Sequence, residues 1–323
     1  MQLGFGCARL GSASCGGRRR DAVRLLRDAV DAGVVVFDTA DAYGAGASER
    51  LVGEALRGYR SQVTIATKGG YVFRPRSRVE QRVRRAVRSV TARRTASGTA
   101  VAAGGAYGAQ DFSPANLRRR LDDSLRRLRT DHVDVYQLHG PHELLPQLLE
   151  ELSDLVVAGK VLRLGVGTER VSDAAGWVEV AGLDSLQLPF GVLDPEAAER
   201  VFPTARARSV DVWARGVLGG GLLAGFQRGD PSMAEEPKRP LIAALRDLAA
   251  EVGIDLYQLA VGFVRAHPDV STVLVGIGSQ EHLRRNVELM RQPALDEDVV
   301  ARIRALGAHR GVAPIDASGD RSS

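Results

Sequence analysis

Short β-rich runs alternate eight times with amphipathic segments of helical length, and this rhythm constrains the fold more than any other feature of the 323 residues. The expected strands are QLGFG (2–6), VVVFDT (34–39), VTIATK (63–68), VDVYQL (133–138), VLRLGV (161–166), SLQLPF (185–190), VDVWA (210–214) and TVLVG (272–276). Helical periodicity covers 21–32, 48–58, 114–129, 143–158, 172–181, 194–207, 241–252 with 255–266, and 280–291. The strands are apolar without clean alternation, as in a parallel sheet covered by helices. Eight β–α repeats in about 250–300 residues fit a closed (β/α)8 TIM barrel, an α/β fold. The competing doubly wound sheet needs G-x-G-x-x-G between its first strand and helix; GFGCARLGSASCGG (4–17) has glycines at the wrong spacing.

Two segments fall outside the rhythm. Residues 72–112 separate the third strand from its helix, an unusually long β–α connection. Within it, RVEQRVRRAVRSVTARR (78–94) places Val79, Val83, Val87 and Val90 at helical spacing among arginines. It reads as a solvated surface helix, or as a lid over the barrel mouth whose charge favours an anionic substrate. TASGTAVAAGGAYGAQ (95–110) reads as a flexible low-complexity loop, and DASGDRSS (316–323) as a disordered tail. The expected organisation is one barrel domain over 1–315, with the insertion 72–112, followed by that tail.

Composition narrows the setting. The net charge of +5 is modest and concentrated in the arginine-rich segment, which gives no case for a nucleic-acid partner. Two cysteines, Cys7 and Cys15, make neither a disulfide framework nor a metal-ligand spacing. No apolar run reaches a membrane span and residues 1–20 lack a signal-peptide core, so the expectation is a cytoplasmic chain without membrane or metal.

In such a barrel the active site forms where the strands end. The second strand ends in Asp38 and leads to Tyr43; the third ends in Lys68; His139 follows the fourth. A carboxylate, a phenol, an ammonium and an imidazole thus converge on consecutive strand ends. Together they suit a general acid: a buried ammonium lowers the phenol's pKa, the carboxylate balances the ammonium, and the imidazole orients a carbonyl oxygen. A polarised carbonyl with a proton donor needs a hydride source, which points to a redox cofactor. Lys68 is also conspicuous because only Lys68, Lys160 and Lys238 are lysines among 44 Lys and Arg; Lys160 reads as a helix C-cap. Cys7 reads as a small core or pocket-wall residue, His132 and His142 as loop residues, and His267 and His309 carry no pattern.

FDTADAYGAGASERLVGEAL (37–56) resembles the signature of the aldo-keto reductases. IATKGG, SLRRLRTDHVDVYQLHGP, GKVLRLGVGT, GGGLLAG and VLVGIGSQEHLRRNVE match further family segments in order, over roughly residues 2–291. The resemblance implies an NAD(P)H-dependent reductase that turns an aldehyde or ketone into an alcohol. Tyr43 would donate the proton, Lys68 with Asp38 would tune it, and His139 would orient the carbonyl.

The cofactor positions follow from the same resemblance. Thr168 and Gln187 fall where the family binds the nicotinamide amide, Thr168 replacing the usual Asn after Gly167. Arg215 stands where many relatives carry a stacking tyrosine, and a guanidinium also lies flat on aromatic rings. Gly216, Leu218 and Gly220 would offer backbone N–H groups to the pyrophosphate. Gly276, Ser279, His282, Arg285 and Asn286 would surround the far end, with Gly276 and His282 replacing the lysine and arginine of some NADPH-preferring members. The arginines at 284 and 285 favour NADPH, with NADH as the alternative. The expected partner is a small-molecule carbonyl substrate. Two other functions compete: a regulatory-subunit-like protein that binds NADP(H) with little turnover, and a Schiff-base lyase or aldolase using Lys68.

Overall fold

A computed structural model describes residues 1–10, 19–72, 109–227, 229 and 237–308. The expected helix over 78–94, nearly all of the following loop, the tail 316–323, Cys15 and His309 lie outside the described residues, and with them the choice between lid and surface helix.

Eight parallel strands close into a barrel in sequence order. They are β1 (Gln2–Gly6), β2 (Val36–Asp38), β3 (Thr64–Gly69), β4 (Val133–His139), β5 (Val161–Gly167), β6 (Ser185–Pro189), β7 (Asp211–Arg215) and β8 (Val270–Gly276), with β8 pairing back onto β1. The α/β barrel expected from the repeats is therefore the fold.

Boundaries move where caps and prolines compete with periodicity. β2 begins two residues late because the closure of the preceding helix, Arg19–Asp31, consumes its start. Gly33 (φ 91°) donates to Val30 O at 2.9 Å, and Val34 N–H donates to Ala29 O at 2.9 Å, a Schellman closure. The helix expected over 143–158 starts only after Pro146 and breaks at Leu152 into Gln147–Glu151 and Ser153–Val157. That over 194–207 splits into Ala197–Arg200 and Phe202–Ala207, with Pro203 in the first turn of the second piece. A further helix, Glu297–Ala308, lies beyond the expected pattern; Val299, Val300 and Ile303 are its buried face.

Side-chain alternation decides what faces the barrel interior. Val36, Ala66, Val135, Trp213 and Leu274 form an apolar cluster separate from the larger core between strands and helices. Two residues further along the same strands, the inward positions are Asp38, Lys68, Gln137, Arg215 and Gly276. The polar end of the barrel is thus the C-terminal end of its strands.

Outside the barrel, helix Ala47–Leu56 packs on helix Pro114–Leu128 through Gly53. A methyl group there would collide with the backbone of Leu128, so glycine permits the close approach. Ser113 caps the second helix by accepting from Asn116 N–H, and Pro114 opens it.

Candidate active site

The loop carrying Tyr43 is held at both ends. Beyond β2 the chain keeps pairing with β3: Thr39 N–H donates to Ala66 O at 2.9 Å and Asp41 N–H to Lys68 O at 3.2 Å. Gly44, Ala45 and Gly46 then take consecutive left-handed conformations that turn the chain into helix Ala47–Leu56. Ser48 lies 2.8 Å from the Thr39 hydroxyl and donates to Cys7 O at 3.0 Å. Glu49, fully buried, accepts from Thr67 Oγ1 at 2.7 Å and from Arg127 Nε at 2.5 Å. The Ser-Glu pair of the motif therefore anchors the loop from beneath.

The four strand-end residues meet. Lys68 Nζ is ion-paired with Asp38 Oδ1 and donates to Thr39 O at 3.2 Å, both side chains being buried. The same ammonium is 5.4 Å from the centre of the Tyr43 ring. The Tyr43 and His139 rings meet edge to face at 5.6 Å and 87°. Burial, then the positive charges of Lys68 and Arg215, hold the His139 imidazole well below the ordinary range, so it is neutral near pH 7.

Tyr43 departs from the sequence expectation. Burial, followed by the Asp38 carboxylate, pushes its phenol up, against a lowering influence of Arg215. The physical reason is burial first: the enclosed phenol, with the Asp38 carboxylate near it, stays a neutral O–H.

The residues singled out for a cofactor fall in two groups. Around the first four, Thr168 N–H donates to Gln187 O at 2.8 Å, and Arg215 donates through Nε and Nη2 to Thr168 O at 3.2 and 2.7 Å. Gln187 is 2% exposed, and its Nε2 has no acceptor among the described residues. Gly216 and Gly220 have positive φ, and a methyl group added at either would meet no neighbour within 4 Å, so the turn around Leu218 is open to a ligand. Gly276 is exposed at the end of β8, with the same open space.

The second group lies around helix Gln280–Arg291. Ser279 caps it, accepting from His282 N–H at 3.2 Å. Arg285 is not free: it is ion-paired with Asp255 at 2.5 Å and lies over the Tyr257 ring at 4.3 Å. Asn286 is buried; its Oδ1 accepts from Tyr257 O–H at 2.8 Å, and its Nδ2 has no acceptor among the described residues. Two buried amide donors awaiting acceptors, with an open glycine turn on the same barrel, fit an extended ligand rich in acceptors.

Sequence reasoning missed several neighbours. Tyr71 packs edge to face on His139 at 4.9 Å, and Gln110 donates to Gly140 O at 2.7 Å. Arg9 donates to Gly220 O at 3.2 Å across the barrel mouth. Asp41, one of the variable positions of the motif, is fully buried beneath the site with Arg120 3.7 Å away. Lys160 does close a helix, through its backbone N–H to Leu155 O; its ammonium instead pairs with Asp122 at 2.7 Å. His267 is a core residue, packed among Phe190, Phe202 and Phe263 with Nδ1 2.7 Å from Phe263 O. Among the described residues no cluster of three His, Cys, Asp or Glu is placed to hold a metal, and no helix is long and apolar enough to cross a membrane.

The model of the Aldo/keto reductase family matches residues 2–308. The aldo-keto reductase YhdN of Bacillus subtilis is 28% identical over 296 residues, 85% of this chain and 80% of its own. Pyridoxal 4-dehydrogenase of Microbacterium luteolum is 28% identical over 320 residues, 91% of each chain. Among solved structures, the holo form of the aldo-keto reductase AKR11C1 from Bacillus halodurans superposes with a TM-score of 0.76 at 27% identity, covering 94% of this chain and 91% of that one.

Proposed function

Because the chain belongs to the aldo/keto reductase family, we propose that this oxidoreductase reduces an aldehyde or ketone to an alcohol with NADPH, Tyr43 giving the proton. The observation that carries the reading is the meeting of Tyr43, His139 and the Lys68–Asp38 pair at the C-terminal ends of adjacent strands.

Bound NADPH would supply the hydride. The protein's part is to place and protonate the carbonyl. Neutral His139 donates an N–H to the carbonyl oxygen and holds it toward Tyr43. Tyr43, kept as O–H by its burial, transfers its proton as negative charge develops on that oxygen. The phenolate left behind is formed close to the Lys68 ammonium, which stabilises it without leaving Asp38. Asp38 in turn makes the buried ammonium tolerable.

The cofactor's nicotinamide carboxamide would be held by Gln187 Nε2 and Thr168, with Arg215 against the ring. Gly216, Leu218 and Gly220 would take the pyrophosphate. Ser279, His282 and Asn286 would hold the adenosine end, and Arg285 reaches a 2′-phosphate only by giving up Asp255. The chosen cofactor is NADPH; comparable affinity for NADH would mean that Arg285 stays where it is.

The rival readings lose support from the same contacts. A Schiff-base lyase needs Lys68 Nζ free to attack a carbonyl, and here that atom is ion-paired with buried Asp38. A binding protein with little turnover has no need of all four strand-end groups. The test is consumption of NADPH and NADH against aldehydes, ketosugars and keto acids, with cofactor affinity followed by fluorescence. Consumption with at least one carbonyl is expected. Tight binding with none consumed would favour the regulatory reading.

A further inference from the structure

His139 is the last residue of β4; it stays in register with Gly167 of β5, while the β3 register ends one residue earlier at Gly69 and Leu138. In this chain the end is held from a second direction. Residues 70–72 and 109–111 pair antiparallel beside it: Val72 N–H donates to Ala109 O at 2.8 Å, Asp111 N–H to Gly70 O at 2.8 Å, and Tyr71 stands opposite Gln110. Neither strand of this small ladder belongs to the barrel.

Both of its central side chains turn toward His139. The Gln110 carboxamide donates through Nε2 to Gly140 O at 2.7 Å and to His139 O at 3.3 Å. The Tyr71 ring meets the His139 imidazole edge to face at 4.9 Å and 84°. Gly140 takes a left-handed turn (φ 59°) immediately after His139, and its N–H donates to Gly167 O at 2.8 Å. Gln110 caps both peptide carbonyls of the turn.

We propose that Gln110 and Tyr71 are positioning residues that hold the His139 imidazole in the plane needed to orient the carbonyl. The inference rests on the reductase reading above. The imidazole is gripped on two sides: Tyr43 meets one flank and Tyr71 another, each nearly perpendicular to it. Its backbone is fixed by the Gln110 donor. A rotation of the ring requires the Tyr71 edge to give way, and a shift of the turn requires two hydrogen bonds to break. Misplacement of an orienting group by about 1 Å costs on the order of a hundredfold in rate.

The experiment compares wild type with Gln110→Glu, Gln110→Ala, Tyr71→Phe and Tyr71→Ala. Gln110→Glu keeps the size of the side chain but replaces the donor with an acceptor facing two carbonyl oxygens. Expected are losses in kcat of about ten- to a hundredfold for both Gln110 variants and for Tyr71→Ala. Carbonyl KM and NADPH affinity should stay within about twofold, because neither residue is placed at the cofactor positions. Tyr71→Phe, which keeps the ring edge, should lose less than Tyr71→Ala. The second readout is the imidazole nitrogen NMR signal of His139, assigned by its loss in His139→Gln; it should move in Gln110→Glu. Wild-type kcat in Gln110→Glu, or equal losses of kcat and NADPH affinity, would overturn the proposal. If the wild type consumes no NADPH with any carbonyl, the reductase reading fails, and an unmoved His139 signal in Gln110→Glu then overturns the brace by itself.

Discussion

The Lys68 ammonium rests on the Asp38 carboxylate inside the barrel, and both side chains are buried. A pair of this kind binds its partners to each other's presence. Removing one charge strands the other, at a cost of about 3–5 kcal/mol. Asp38→Asn and Lys68→Met should therefore each lower unfolding free energy by that amount in urea, while the double variant recovers much of the loss. Single variants as stable as wild type would mean that the pair is hydrated. Lys68→Arg keeps the charge but not the compact ammonium between carboxylate and phenol; it should lose most turnover while retaining cofactor binding.

Asp41 should make stability depend on pH. Burial first, then the neighbouring Glu49, raises its carboxyl from 3.8 to about 7, against lowering by Arg120 and Arg127. Tyr136 faces the same cluster. Between about pH 4 and pH 7 the folded chain keeps a proton that the unfolded chain has released, so stability falls as pH rises through that window. The effect is on the order of 4 kcal/mol over the full window. Asp41→Asn should flatten this part of the curve, measured by urea unfolding at stepped pH. A slope unchanged in the variant would assign it to other groups.

Gly53 tests the packing of the helices behind the site. An added methyl would meet the Leu128 backbone, which is the rigid end of helix Pro114–Leu128. Gly53→Ala should cost about 1–3 kcal/mol through overpacking, although alanine is the better helix former. Thermal unfolding reads the sign: a stabilised variant would show that the two helices can separate.

Much of this molecule is legible in its sequence. The barrel follows from eight repeats, and the strand-end positions of Asp38, Lys68 and His139 bring them to one end of it. What escapes is what only tertiary contact creates. Tyr71 and Gln110 are far apart in sequence and meet through a ladder that no periodicity announces. Asp41 stands inside the motif, but its partner Arg120 lies on a distant helix. The last helix is hard to see because Val299, Val300 and Ile303 are sparse among charges, yet three buried residues suffice to dock it. The expected lowering of the Tyr43 phenol fails for a related reason: the Lys68–Asp38 pair is legible, but not the depth at which tertiary packing buries the phenol.

The proton donor is tested most directly by Tyr43→Phe, assayed for NADPH binding and for turnover with the best carbonyl found for the wild type. Removing a single hydroxyl leaves the ring packing against His139 and the Lys68–Asp38 pair in place. Unchanged NADPH affinity and a loss in kcat of about a hundredfold or more are predicted. Turnover at the wild-type rate would contradict the assignment, since the proton would then come from elsewhere.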